Sequence, residues 1–309
     1  MPVSNLFRLT VLLCALTLAA CAGAPPPATP PETAVPAVPT AAPAPTTAPT
    51  AAPAPTVAPA GPIPGTLARG TIVQRPYIVM IDNHPNAYPQ SGLDKAAIVF
   101  EALAEFGLTR FMAVYAPGIT EDAPVIGPVR STRLYFVQWA LPFGAMYVHA
   151  GGSPQGLALA ENSPDIINID ALFRASSVYF TRDSSRAAPH NLYTTSASLA
   201  QAAAASSASP PLQSDLGFLI KSDAPSSDRP AAQTVGYFFL YREDDIHWVY
   251  DPATNSYGRF RRGKVAIDAE SGQQLRAKNL VVMEVHEEAI DGDEKGRIEQ
   301  QVIEVTIPT

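Results

Sequence analysis

Cysteine is nearly missing from this chain. Its 309 residues hold two, Cys14 and Cys21. Past position 21 no thiol remains for a disulfide, a cysteine-type zinc site or a cysteine nucleophile, so the folded part must stand on its core alone. An excess of positive charge is missing as well. The formal net charge is −7, which argues against nonspecific attraction to nucleic acid or to an anionic bilayer. After the first twenty residues no apolar run is long enough to read as a membrane span. The five histidines are far apart, with no His-Glu-x-x-His, and phosphate-loop and dinucleotide glycine fingerprints are absent. The expectation is therefore no metal and no cofactor.

One apolar run is present, at residues 9–20. It is too short for a stable span and closes on Leu18-Ala19-Ala20-Cys21. Small residues just ahead of a cysteine are the mark of a lipoprotein signal peptide, here residues 1–20, whose removal leaves Cys21 first and acylated by palmitate-like chains. Two or more acyl chains anchor stably where one does not. The expected location is extracytoplasmic, on the outer face of the cell membrane.

Residues 21–64 follow as the lipidated cysteine and a low-complexity linker of Pro, Ala and Thr. Residues 22–64 hold 15 of the 32 prolines and a single charge, Glu32. Such a stretch has nothing to bury and should be extended and solvated, reaching about 100 Å or more. The composition then changes. Residues 65–220 read as an α/β domain. Residues 77–81 and 146–150 are short apolar runs that read as strands. Residues 98–106 and 110–115 flank Gly107 and suggest a strand pair or a strand after a short helix. Residues 131–141 have helical spacing, and 178–181 suggest a further strand. Ser153 and Pro154 are N-cap and first-turn signals for a helix over residues 153–162. Residues 195–206 read as an alanine-rich helix. After a Ser/Asp/Pro-rich break, residues 232–309 alternate strand and turn signals, which predicts a mostly antiparallel β domain. The acidic stretch 284–294 reads as a solvated hairpin rather than a metal site.

Five motifs recur as a set: residues 75–85 (RPYIVMIDNHP), 89–92 (PQSG), 107–110 (GLTR), 127–133 (GPVRSTR) and 188–193 (APHNLY). In this order the chain resembles the YerB-like family of bacterial lipoproteins, a domain of unknown function, over residues 70–286. The resemblance implies an exported, lipid-anchored protein with two parts and no assigned activity. Members of that family continue further than this chain, which implies that the second domain is truncated and short of a strand.

Arginine is the clearest chemical signal in an otherwise acidic chain. Arg110 lies near Glu101 and Glu105 in sequence, which favours an internal ion pair. Arg130, Ser131 and Arg133 have no acid nearby in sequence and read as opening a helix, where free N–H groups and guanidinium forks suit an anion. Gly151, Gly152 and Ser153 form a strand-to-helix turn that reads either as a second anion cradle or as a capped helix. It is not a nucleophile elbow, because Gln155 stands where glycine is needed and Pro154 has no N–H to give. Asp82 and Asn83 leave a strand end, His149 ends another strand, and His190 sits in a loop. The group could line one polar cleft.

Two functions follow. The first is a noncatalytic lipoprotein binding an anionic envelope ligand, cell-wall material or a partner protein, through Arg130, Ser131, Arg133, Gly151, Gly152, Ser153 and Asn83. The second is an enzyme acting on cell-wall glycan or peptide, with Asp82, His149 and His190 as acid–base groups and Arg130 and Arg133 orienting the substrate.

Overall fold

A computed structural model describes residues 74–206, 223–239, 241–242, 245–289 and 298–306, with side chains for all but 289 and 298–306. The signal peptide, Cys21 and the linker lie outside the described residues.

The first region is a five-stranded mixed sheet. Strand β1 (Tyr77–Asp82) is buried at every position. Its alternate residues serve two cores, Tyr77, Val79 and Ile81 on one face and Ile78 and Met80 on the other. A strand covered on both sides reads as a continuous apolar run, and this one does. Strands β2 (Ile98–Glu105) and β3 (Leu108–Tyr115) form a hairpin. Its turn uses positive φ at Phe106 and Gly107, 53° and 76°, as the tight hairpin turn requires. Helix α1 (Leu134–Ala140) leads to β4 (Met146–His149), and helix α2 (Pro154–Asn162) leads to β5 (Ile167–Asp170). The sheet order is β2-β3-β1-β4-β5. Strand β1 pairs antiparallel with β3 and parallel with β4, and β4 pairs parallel with β5. Tyr135, Phe136, Val137 and Ala140 of α1 and Ala160 of α2 close one face of the sheet.

The hairpin β6 (Thr181–Arg182) and β7 (Leu192–Tyr193) and helix α3 (Ser196–Ala205) cover the other face with Leu192, Leu199 and Ala202. Burying a Val, Ile or Leu side chain contributes about 1.5–3 kcal/mol, so these two cores carry the fold without a disulfide.

The second region is antiparallel. Strands β8 (Thr234–Tyr237), β9 (Ile246–Asp251), β10 (Ser256–Arg261) and β11 (Lys264–Val265) lie in the order β11-β10-β9-β8, and β12 (Arg276–Ala277) pairs with β10. Strands β13 (Val282–Ala289) and β14 (Ile298–Thr306) make a separate hairpin. The architecture is thus an α/β N-terminal region followed by a mostly antiparallel β region. Leu275 of the second region joins the first region's core. An ion pair bolts the two together, with Arg259 Nη1 of β10 at 2.9 Å from Glu101 Oε2 of β2.

Two expected elements differ. Residues 178–181 are a 3₁₀ turn running into β6 rather than one strand. Helix α1 begins at Leu134, three residues later than its spacing suggests. The preceding residues are held extended between strands.

Candidate functional site

The ordered pairing of β1 with β4 ends at Val79 and Val148. Beyond that point residues 128–132 enter the gap. Arg130 N–H donates to Met80 O (2.8 Å) and Asp82 N–H donates to Pro128 O (2.8 Å). On the other side Ala150 N–H donates to Arg130 O (3.0 Å) and Thr132 N–H donates to Gly151 O (2.9 Å). Open α/β sheets take ligands where neighbouring strands change direction, at their carboxyl ends. Here the chain fills that crevice itself and sets Arg130 beside Asp82.

Asp82 is 3% exposed. His190 Nδ1 donates to its Oδ2 at 2.7 Å, and Arg130 Nε lies 3.1 Å from the same oxygen, an ionic contact whose N–H is not aimed at it. Its Oδ1 accepts from the His84 backbone N–H at 3.0 Å. The His84 ring stacks on His190 with centroids 4.4 Å apart and planes 18° off parallel. His84 Nδ1 accepts the Asn86 N–H (3.1 Å). Burial, then the neighbouring His190, lowers the His84 imidazole below its ordinary 6.5. Among the described residues nothing bonds His190 Nε2, His84 Nε2 or the two Nη atoms of Arg130.

Local structure explains the convergence. The 187–190 turn closes with His190 N–H on Ala187 O. Arg186 donates to Ala87 O (2.7 Å) and Pro89 O (2.9 Å), tying this loop to the one that carries His84. Val129 N–H donates to Leu192 O (2.6 Å), which holds β7 along the inserted segment. At Gly127, with φ of 147°, a Cβ would meet Leu192 O at 2.9 Å, so only glycine allows that approach.

Several expected ligand contacts are spent elsewhere. Arg133 is 7% exposed and its Nη2 pairs with Glu105, while Nη1 donates to Thr132 O. Glu105 also takes Arg110 Nη2 at 2.7 Å. The acid that was not near in sequence arrives across the β2–β3 hairpin. Burial and then Arg130 push the Arg110 guanidinium down to about 10. Nor does Arg130 open a helix: it lies four residues before Leu134. Ser131 contributes its carbonyl, which accepts from Arg110 Nη1 at 3.0 Å.

The Gly151–Ser153 turn is a structural joint. Gly151 N–H donates to Asp170 Oδ1 (2.9 Å). A Cβ on Gly152 would sit 2.6 Å from Thr132 Cγ2. Ser153 Oγ accepts from Gly156 N–H and caps α2. His149 is fully buried, with Nδ1 at Gly151 O (2.9 Å) and Nε2 at Asn168 Oδ1 (2.8 Å), so it has no nitrogen left for chemistry.

Asn83 ties the loop to its neighbours. It donates to Glu101 and Thr109, and its Oδ1 accepts from Tyr88 OH (2.6 Å) and Gln90 Nε2 (2.9 Å). From the second region Arg261 lies over the Tyr88 ring at 4.5 Å and approaches Asn83 O at 3.5 Å.

The structure thus gathers the side chains of Asp82, Arg130 and His190, while Arg133, His149 and the Gly151–Ser153 turn bond to other partners. Sequence reasoning left His84 and Arg261 off the site. His84 had a signal, standing two residues from Asp82 at the same strand end. Arg261 had none. Among the described residues no three His, Cys, Asp or Glu side chains are grouped as metal ligands would be.

Residues 65–209 match a family described as "Protein of unknown function (DUF3048) N-terminal domain", and residues 236–306 match the same family's C-terminal domain. A Bacillus subtilis (strain 168) protein described as "Putative lipoprotein YerB" is 33% identical over 221 residues, covering 71% of this chain. The match spans 65% of that relative's length. The crystal structure of YerB protein from Bacillus subtilis superposes with a TM-score of 0.61 at 30% identity, over 74% of this chain and 75% of that one.

Proposed function

This chain belongs to the DUF3048 family, and from that premise we propose that it is a lipoprotein anchored through Cys21 outside the cell membrane, whose head binds an anionic envelope ligand at Asp82, His84, Arg130 and His190. The anchoring rests on Leu18-Ala19-Ala20-Cys21 together with the description of the Bacillus subtilis relative as a lipoprotein. The observation that carries the binding is that Arg130 meets Asp82 at Nε, 3.1 Å away, while neither of its Nη atoms has a hydrogen-bond partner among the described residues. The outer fork of that guanidinium stays available, as bidentate recognition of phosphate or carboxylate requires. The His84 and His190 ring edges beside it add hydrogen-bonding capacity.

The ligand set is smaller than the sequence suggested. It leaves out Arg133, whose Nη atoms go to Glu105 and Thr132 O, and the Gly151–Ser153 turn, where Gly151 N–H goes to Asp170 and Ser153 N–H to Thr132 O. Two experiments test the reading. Metabolic labelling with a fatty acid should mark the wild-type chain and not Cys21→Ala, which should escape to the medium. Inorganic phosphate should raise the thermal midpoint of the wild-type chain and leave Arg130→Gln unmoved. An equal rise in both would remove Arg130 from the site.

A further inference from the structure

We propose that the His190–His84 pair is an acid–base site that hydrolyses phosphodiesters, with His190 as general base and Arg130 and His84 holding the phosphate oxygens. The proposal rests on the binding reading above and adds chemistry to it.

The argument is one of tautomers. An ionised carboxylate only accepts, so the 2.7 Å contact to Asp82 Oδ2 requires the proton of His190 to sit on Nδ1. The lone pair of the neutral ring is then on Nε2. His84 is set the opposite way. Its Nδ1 accepts a backbone N–H from Asn86, so the proton of its neutral ring is on Nε2. Two stacked imidazoles thus present one lone pair and one N–H, each fixed by its Nδ1 partner. Arg130 adds a permanent cation with a two-pronged outer fork. A phosphodiester has two non-bridging oxygens to match that fork and the His84 N–H, and it leaves the His190 lone pair for a water molecule.

The step balances without a change of oxidation state. His190 Nε2 takes a proton from water as the water oxygen bonds to phosphorus. One P–O ester bond breaks, and its electron pair leaves with the alkoxide. The alkoxide takes a proton from solvent and the imidazolium returns its own. The products are a phosphomonoester and an alcohol. Asp82 does not touch the substrate. It is a positioning residue that holds the tautomer.

The probe is bis(4-nitrophenyl) phosphate, incubated with the full chain while nitrophenolate is followed by absorbance. Wild-type protein should exceed buffer alone. His190→Ala should lose at least about 100-fold, the usual contribution of a placed general base. Asp82→Asn would donate to Nδ1 and move the proton to Nε2, so kcat should fall with KM little changed. Nitrogen-15 spectra of the wild-type imidazoles need no variant: His190 should be protonated at Nδ1 and His84 at Nε2. Parallel incubations with poly(glycerol phosphate) and with phosphatidylglycerol vesicles tell a polymer source from a lipid headgroup.

Phosphate stabilisation without diester cleavage would overturn the catalytic proposal and leave the binding reading standing. Loss of both would end the two together. Cleavage of 4-nitrophenyl acetate alone, or full activity in His190→Ala, would also overturn it.

Discussion

Glu105 and Asp82 each hold two basic side chains, and they do opposite things with them. Glu105 takes Arg110 and Arg133, both side chains only 8% exposed, and the buried group sends further donors to Ser131 O and Thr132 O. Asp82 takes Arg130 and His190, but Arg130 is 27% exposed and meets the carboxylate at Nε. The first arrangement spends its hydrogen-bonding capacity on the fold. The second keeps a guanidinium fork and an imidazole nitrogen in reserve. An arginine count alone says little about binding, because the decision lies in which edge of each guanidinium its own carboxylate takes.

The largest effect should come from breaking the buried group. Glu105→Ala leaves two buried guanidinium groups without their acid, and removing one partner of a buried ion pair costs about 3–5 kcal/mol. Chemical denaturation should show a loss of that order. A loss below about 1 kcal/mol would mean that Glu105 does not hold the two arginines. Next comes Ser153→Ala, which removes the α2 cap and should cost about 1 kcal/mol. Phosphate should stabilise this variant as it does the wild type. If it does not, the turn belongs to the site after all. Arg130→Gln leaves Asp82 its bonds to His190 and to the His84 N–H, so it should cost less stability than Glu105→Ala while abolishing the response to phosphate.

The smallest effect concerns pH. His84 has its folded value lowered by burial and by His190. Between that value and the ordinary 6.5 the unfolded chain binds the extra proton. The contribution of His84 is therefore complete above about 6.5 and is lost as pH falls through the folded value. The thermal midpoint should decline on acidification from about 6.5 down to the folded value, with a shallower slope in His84→Gln.

The parts of the fold legible in the sequence were those with local signals. Strand β1 is a buried apolar run bounded by Pro76 and Asp82, and α2 begins at Pro154 behind its Ser153 cap. Strand β5, Ile-Asn-Ile-Asp, is too short and too polar to stand out. The late start of α1 was illegible for a different reason. Residues 128–132 carry no strand signal and become extended only because β1 and β4 part there.

Site residues divide along the same line. Asp82 could be singled out as a strand-end carboxylate. Its meeting with His190, 108 residues away, depends on Arg186 and β7 carrying that loop back. Arg133 looked unopposed because Glu105 is distant in sequence and reaches it only through the β2–β3 hairpin.

The most direct test is to titrate the nitrogen-15-labelled full chain with inorganic phosphate and follow the imidazole signals of His84 and His190. The account expects both to shift saturably in the wild type and neither to shift in Arg130→Gln, while His149, buried between Gly151 and Asn168, stays still in each. Unmoved His84 and His190 signals in the wild type, or equal shifts in the variant, would contradict it.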